Sequence, residues 1–355
     1  MEDTNDLLVL TLCLLLAVDA VQLFEKEDSL LLKAHIEEQR RLFWSLPADK
    51  KRVTWTGFSE RISDAHFRRQ FRMSRTLFTN LCNRLSSAIG ENSFRSEHGS
   101  YSTLNAASLQ RRGGLIPGEV KVAVSLRILA GGSYLDLAPL FYLSPAHIYS
   151  IFGQFLQWVL MAFDFPLAKY IVDENWTALQ AIADEFSVGS KGVFSGIIGS
   201  LDGLAVRIRS PLLSEVADPG NYFCRKGFFA LNVQAICNRF KRFTWVYTSN
   251  KGSTHDSVAF TNSRLYTLLS AQSAKLQDHG LYLIGDSAYN LTPFLLVPYS
   301  VDEVRSSGGN MCDSYNFFLS SSRIHIECSF GELVRRWGIF WQTLNFDLSK
   351  SQKIV

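Results

Sequence analysis

Residues 197–203 read Ile-Ile-Gly-Ser-Leu-Asp-Gly, an apolar run that reaches an acidic residue at Asp202. A second run, residues 281–286, reads Leu-Tyr-Leu-Ile-Gly-Asp and ends at Asp286. Short apolar runs of this length predict buried strands. Open α/β sheets place their chemistry at the ends of such strands. We therefore expect two strands of one sheet, each ending at a carboxylate.

A third carboxylate, Glu327, is predicted to lie on a helix, because Ile326, Phe330, Leu333 and Trp337 recur around it at helical spacing. Mg²⁺ prefers oxygen ligands and is usually held by one or two carboxylates together with phosphates of the substrate. Two such ions can activate an attacking oxygen and stabilise a leaving one. The three acids together predict a metal-dependent phosphoryl-transfer site. The alternative is that they are structural and cap turns or helices.

The region around these acids carries five sequence blocks in a fixed order. They are Asp202-Gly203, 221–235 (NYFCRKGFFALNVQA), 252–257 (GSTHDS), 285–289 (GDSAY) and 326–331 (IECSFG). Together they resemble a PIF/Harbinger-type transposase, a DDE superfamily endonuclease, over residues 60–345. The resemblance implies a catalytic, metal-binding triad of Asp202, Asp286 and Glu327 that holds Mg²⁺ or Mn²⁺. It also implies DNA cleavage by hydrolysis and strand transfer.

The same resemblance implies an α/β fold, in which a ribonuclease H-like mixed sheet forms the catalytic domain at residues 190–345. An all-α, helix-turn-helix-like region would precede it at residues 61–165, after an N-terminal helical segment at residues 1–60. DNA is the expected partner, with no membrane partner. Family relatives commonly act in the nucleus beside a Myb-like DNA-binding protein, so both are expected here. A homo-oligomer is a further expectation.

Two features depart from the family pattern. Leu204-Ala205 follows Asp202-Gly203, where the family usually has two polar residues. The interval from Asp286 to Glu327 is 41 positions, longer than usual, and the polar stretch 302–314 is predicted to be an inserted loop. The chain also stops at Val355, before C-terminal elements that relatives carry. Leu204-Ala205 and the early C-terminus support an alternative function, that of a catalytically inactive, domesticated DNA-binding or scaffold protein.

Two further positions near the acids have competing interpretations. Asp256, in the pair His255-Asp256, rivals Asp286 as a metal ligand, and its alternative role is to cap a helix. Arg323 lies one helical turn before Glu327, so an i,i+4 ion pair that only orients the carboxylate is an alternative to a metal site. His325 should point away from Glu327 and is not predicted to be a ligand.

Four basic residues are predicted to contact the DNA backbone, with an ordinary surface role as the alternative. Arg225 and Lys226 follow a predicted turn, and Arg335 and Arg336 lie two turns beyond Glu327. Between residues 40 and 127, sixteen Lys and Arg stand against six Asp and Glu. Such a local excess is typical of a polyanion-binding surface, and equally of a solvated helical surface.

Composition predicts a globular protein of two structural units, since 47% of the 355 residues are hydrophobic and 19% are charged. The six cysteines are scattered, which suggests neither a disulfide framework nor a zinc site and fits an intracellular setting. The apolar segment 7–24 competes as a signal peptide, but its acidic flank favours a buried helix. Such a leader would instead mark a secreted or membrane-anchored protein.

Helical periodicity predicts three helices at residues 119–130, 133–140 and 145–161, with Ser133 and Ser144 as caps. Short helices joined by tight turns suit a helix-turn-helix. A purely structural packing is the alternative, because the third helix carries no Lys or Arg with which to contact DNA. Before them, residues 63–85 predict two short helices, the second capped by Ser74. The stretch 91–114 reads as a linker. Further predictions are a helix at 176–186, a hairpin formed by 228–237 and 243–248, and a helix near 256–271.

Overall fold

The computed structural model describes residues 54–91, 94, 116–306 and 310–344. The predictions for the apolar segment 7–24 and for almost all of the linker 91–114 lie outside these residues. The chain forms two compact units. One is Phe165–Leu333, and the other contains the described residues between 54 and 164 together with those between 334 and 344. These limits differ from the predicted domain ranges at both ends of the sheet-containing unit.

The second unit is helical. Its helices are α1 (Trp55–Ser59), α2 (Asp64–Phe71), α3 (Arg75–Ile89), α4 (Gly118–Leu129), α5 (Tyr134–Phe141) and α6 (Pro145–Ala162). Serine side chains accept backbone N–H hydrogen bonds at the starts of α3, α5 and α6, from Ser74, Ser133 and Ser144. Such caps satisfy donors that the first helical turn leaves unpaired. The predicted starts of these three helices are therefore confirmed.

Helix α4 forms the centre of the helical unit and is buried along almost its whole length. It packs against α6, α5, α2 and α3. By length and composition alone, the stretch Pro145–Val172 could cross a membrane, a test that core helices of globular proteins also pass. The buried face of α6 includes Phe152 and Phe155. Packing within the helical unit thus explains the apolar character of α6.

The other unit combines a mixed sheet with helices. Its strands are β1 (Ile197–Arg207), β2 (Phe223–Cys224), β3 (Phe228–Cys237), β4 (Phe243–Lys251), β5 (Tyr282–Ile284) and β6 (Leu295–Leu296). Its helices are α7 (Pro166–Val172), α8 (Trp176–Gly189), α9 (Asp256–Thr261), α10 (Arg264–Ala271), α11 (Ser273–Asp278), α12 (Val301–Ser306) and α13 (Asn310–Arg336), of which residues 334–336 group with the helical unit. The strand order is β2-β3-β1-β5-β6, and β4 also pairs with β3. Strands β1, β3 and β4 are antiparallel, whereas β5 is parallel to β1 and β6 to β5. The predicted mixed α/β architecture and hairpin are confirmed.

Three local predictions are wrong. Strand β1 does not end at Asp202, because residues 203–207 continue to pair with β3. The stretch 302–314 is not simply an inserted loop, since α12 and the first turn of α13 occupy most of it. The predicted helix at 256–271 is two helices, and Ser263 begins the second by accepting the N–H of Tyr266. Each of these errors concerns where a regular element begins or ends, which strand pairing or helix capping decides.

The two faces of β1 meet different helices. Side chains alternate along a strand, so Ser200 and Asp202 share one face while Leu201 and Gly203 share the other. Ser200 donates a hydrogen bond to the backbone carbonyl of Ser322 on α13 (3.2 Å). Leu201 belongs to a buried cluster that includes Phe260 of α9. Asp202 therefore faces α13, and Gly203 faces α9.

Candidate active site

Asp202 lies in the middle of β1 with its side chain 20% exposed. Its Oδ1 accepts the N–H of Gly203 (2.8 Å), and Nη1 of Arg323 donates to its Oδ2 (3.4 Å). The pKa of Asp202 is raised to about 6, chiefly by burial and further by the charges of Asp286 and Asp256, against the lowering effects of the Gly203 N–H and Arg323. A desolvated carboxylate beside two other carboxylates is a place where a cation would be favoured.

Asp286 follows β5 by two residues, and its Oδ1 accepts the N–H of Ala288 (2.9 Å). Such a side-chain-to-backbone bond fixes a turn and aims the carboxylate. Strands β1 and β5 run parallel, with Ser200 opposite Ile284. Asp202 and Asp286 each lie two residues beyond this pair. The parallel register therefore brings the two predicted aspartates to neighbouring positions.

Glu327 lies on α13 with its side chain 50% exposed. Its Oε1 forms an ion pair with Nη2 of Arg323 at 2.6 Å, so the predicted i,i+4 ion pair is confirmed. Arg323 also reaches Asp202, which the sequence did not predict. Glu327 is thus connected to Asp202 through a shared guanidinium.

Asp256 does not cap α9, because the cap is His255, whose Nδ1 accepts the N–H of Ser257. The carboxylate of Asp256 instead accepts two side-chain bonds at Oδ1, from Nδ2 of Asn232 and Nε2 of Gln234, each at 2.9 Å. Both amides lie on β3. Two donors already satisfy this oxygen, so the helix-cap interpretation of Asp256 is wrong and its contacts are those of a polar network.

Tyr289 extends the network, because its hydroxyl donates to Oε1 of Gln234 (2.6 Å). Burial, followed by the charges of Asp256, Asp202 and Asp286, raises the pKa of Tyr289 well above its ordinary value. The phenol therefore stays a hydrogen-bond donor. We did not single out Asn232, Gln234 or Tyr289 from the sequence. The available signal was two polar residues at alternate positions inside the apolar run of β3.

Gly203 separates the Asp202 face from the Asp256 network. A Cβ at this position would lie 2.3 Å from Oδ1 of Asp256 and 2.8 Å from Nε2 of Gln234. Real Cβ atoms do not approach other heavy atoms so closely. The absence of a side chain at 203 is what lets Asp256 approach β1.

We expect Gly203→Ala to destabilise the protein by about 2–4 kcal/mol, because the methyl group would break the charge-assisted amide bonds to Asp256. The matched control is Gly331→Ala on α13, where an added Cβ would meet nothing within 4 Å apart from the adjacent backbone of its own helix. That change should stabilise by about 0.5–1 kcal/mol, since Ala is the better helix former. Urea unfolding at pH 8 measures both. A Gly203→Ala variant as stable as the wild type would contradict the close approach.

Arg225 and Lys226 occupy the turn between β2 and β3, which the N–H of Gly227 closes onto the carbonyl of Cys224 (3.0 Å). Both line a cleft of about 140 Å³. Residues 252–256 form another part of its lining. Two cations are thus held on a defined turn beside this cleft, on the Gly203 side of β1.

The other two predicted DNA contacts, Arg335 and Arg336, end α13 in the segment that groups with the helical unit. His325 packs edge-on against the ring of Phe186, with ring centroids 5.9 Å apart. Burial, together with Arg239 and Lys241, lowers the pKa of His325. The five cysteines within the described residues are free.

The donor chemistry of Asp202 and Asp286 fits a divalent cation, because hard cations prefer carboxylate oxygens and one or two of them commonly suffice. Glu327 fits less directly, since Arg323 binds its Oε1. Among the residues that the structure describes, no group of three or more His, Cys, Asp or Glu is placed to hold a metal ion. Asp202 and Asp286 therefore lie at neighbouring positions beyond the paired strands, and the third carboxylate, Glu327, is paired with an arginine.

Residues 201–355 match the family model described as DDE superfamily endonuclease. The match begins one residue before Asp202 and includes Asp286 and Glu327. Comparisons with curated proteins and with solved structures found no match. The family match supports a transposase-derived nuclease of the DDE superfamily. Endonucleases of this superfamily generally use divalent metals, and such a domain implies DNA as the substrate.

Proposed function

We propose that this protein is a divalent-metal-dependent DNA endonuclease of the PIF/Harbinger transposase type. The observation that carries the proposal is the parallel pairing of β1 with β5, since Asp202 and Asp286 each lie two residues beyond the Ser200–Ile284 pair. Arg323, which contacts both Asp202 and Glu327, supports the inclusion of Glu327. The strand order, an antiparallel β1-β3-β4 unit continued by parallel β5 and β6, supports a ribonuclease H-like catalytic domain. A helix-turn-helix-like role for α4, α5 and α6 remains a prediction.

In this proposal Asp202 and Asp286 hold Mg²⁺ or Mn²⁺, with Glu327 as the third catalytic carboxylate. When bound, such a cation would activate water or a 3′-hydroxyl and stabilise the leaving oxygen of a DNA phosphodiester. The N–H groups of Gly203 and Ala288 orient the two aspartates. These bonds fix the carboxylates before the substrate arrives, which lowers the cost of assembling the site.

We further propose that Arg225 and Lys226 contact the DNA backbone, as do Arg335 and Arg336. Phosphate contacts of this kind position a duplex without reading its sequence. A Myb-like DNA-binding partner, a homo-oligomer and action in the nucleus stay predictions that the resemblance alone supports.

The double variant Arg225→Gln/Lys226→Gln should weaken DNA binding in EDTA, where no cleavage occurs. Each lost phosphate contact should reduce the slope of log K against log salt by about 0.9, so the double variant should lose about two units. Fluorescence anisotropy with a labelled duplex at several salt concentrations measures the slope. The matched control, Arg264→Gln/Arg305→Gln, removes two exposed charges elsewhere in the same unit and should keep the slope. Equal slopes for all three proteins would contradict the assignment.

A second candidate function is a catalytically inactive DNA-binding or scaffold protein that keeps the fold. The specific observation in its favour is that Arg323 already forms ion pairs with both Asp202 and Glu327. Cation-dependent nicking of supercoiled DNA separates the two functions. Nicking that requires Mg²⁺ or Mn²⁺ and disappears with EDTA or in Asp202→Asn supports the endonuclease. DNA binding without such nicking supports the scaffold.

A further inference from the structure

Arg323 contacts carboxylates on two different elements. From α13, its Nη2 lies 2.6 Å from Oε1 of Glu327, and its Nη1 lies 3.4 Å from Oδ2 of Asp202 on β1. The arginine side chain is only 19% exposed, so these contacts are partly shielded from water. Arg323 therefore connects two of the three carboxylates proposed for the catalytic site.

The guanidinium group keeps its positive charge at every pH at which a protein is normally folded. At Asp202 this positive charge opposes the effect of the negative charges of Asp286 and Asp256. A divalent cation held by both Asp202 and Glu327 would bind carboxylates that Arg323 already contacts at Oδ2 and Oε1. Two positive groups cannot share these oxygens at close range without strong repulsion. Arg323 and the cation are therefore competitors.

A displaced Arg323 would have another partner within the proposed reaction. Its planar fork matches the oxygens of a phosphate as well as those of a carboxylate. The side chain begins one helical turn from Glu327, so it would stay beside the place where a DNA phosphate must lie. Release from the carboxylates and capture of a phosphate are then linked events.

We propose that Arg323 is a positioning residue that competes with the divalent cation for Asp202 and Glu327 in the DNA-free protein and moves to a phosphate of the DNA strand when the cation binds. This inference rests on the proposed function, because it needs the metal and the DNA at one site. It makes DNA and cation binding mutually reinforcing, since each favours the same displaced arginine.

The test is calorimetric titration of Mn²⁺ into the full-length protein without DNA. Arg323→Gln should bind Mn²⁺ about tenfold more tightly than the wild type, because it removes the competing charge. Arg323→Lys keeps the charge and should stay within about threefold of the wild type. In the nicking assay, kcat/KM of Arg323→Gln should nevertheless fall by at least about tenfold, since the phosphate loses its fork. A merely structural role would weaken metal binding and nicking together.

Two controls make the outcome specific. Arg305→Gln removes an exposed arginine, 78% accessible, and should leave Mn²⁺ affinity unchanged. Should Arg323→Gln melt below the assay temperature, Arg323→Met, which retains the apolar stem, replaces it. Arg323→Gln binding Mn²⁺ no more tightly than the wild type, while Asp202→Asn loses binding, overturns the competition but leaves the proposed function intact. Equal Mn²⁺ binding by the wild type and Asp202→Asn overturns the metal site, and the inference with it.

Discussion

Asp202→Asn is expected to reduce cation-dependent nicking of supercoiled DNA by at least about 1000-fold, because the change removes a proposed charged metal ligand, which should contribute several kcal/mol to stabilising the transition state. The substitution keeps the size of the side chain, so the strand register should survive. Initial nicking rates in saturating Mg²⁺ and Mn²⁺ give the measurement. The matched control is Asp302→Asn, an identical change at a carboxylate that is 96% exposed. Its rate should equal that of the wild type.

The same variant should be more stable than the wild type when no metal is present. Burial holds the folded-state pKa of Asp202 at about 6, above its usual value of 3.8. A raised carboxylate pKa means that the ionised form opposes folding, so this penalty is fully present above pH 6 and disappears as the pH falls toward the usual value. Asp202→Asn should therefore gain about 1–2 kcal/mol at pH 8 and little at pH 4. If Asp202→Asn were less stable than the wild type at pH 8 and its nicking rate were unchanged, Asp202 would not be a functional carboxylate whose ionised form opposes folding.

Asp286→Asn and Asp256→Asn should differ widely in their effects on nicking. Asp286 follows the parallel strand beside Asp202, whereas Asp256 lies on the Gly203 face with Oδ1 bound by two amides. We expect Asp286→Asn to reduce the nicking rate about 1000-fold, as we expect for Asp202→Asn. Asp256→Asn should reduce the nicking rate no more than about tenfold, because it perturbs the site only through the polar network.

Single-turnover nicking by both variants, after their folds have been compared by circular dichroism, decides between the two aspartates. The ratio of their rates is informative because both changes remove one negative charge near Asp202. A large loss in Asp256→Asn beside an active Asp286→Asn would make Asp256 the second metal ligand. The assignment of Asp286 would then be wrong.

Local patterns in the sequence were sufficient for many elements of the fold. Helix starts at Ser74, Ser133 and Ser144 followed from residues whose side chains cap their own helices, an interaction that spans two or three positions. The β3-β4 hairpin followed from two apolar runs around a short polar turn. The ion pair between Arg323 and Glu327 followed from helical spacing. All of these depend on neighbours within one element or one turn.

Contacts between distant segments were not predictable in the same way. The bond from Arg323 to Asp202 joins residues 121 positions apart. The amides of Asn232 and Gln234 reach Asp256 only because β3 pairs with β1 and Gly203 lacks a side chain. The continuation of β1 past Asp202 likewise depends on its partner strand. None of these contacts has a signature in local composition.

The residue pattern of this chain therefore specified the mixed α/β class, most helix boundaries and the three acids that merit attention, because capping and periodicity act over a few residues. Strand pairing placed Asp202 beside Asp286 and put Asp256 on the other face of β1. Helix packing brought Arg323 from α13 onto Asp202. These relations arise when segments far apart in sequence meet, and the position of a side chain then depends on register and on which face of a strand it occupies.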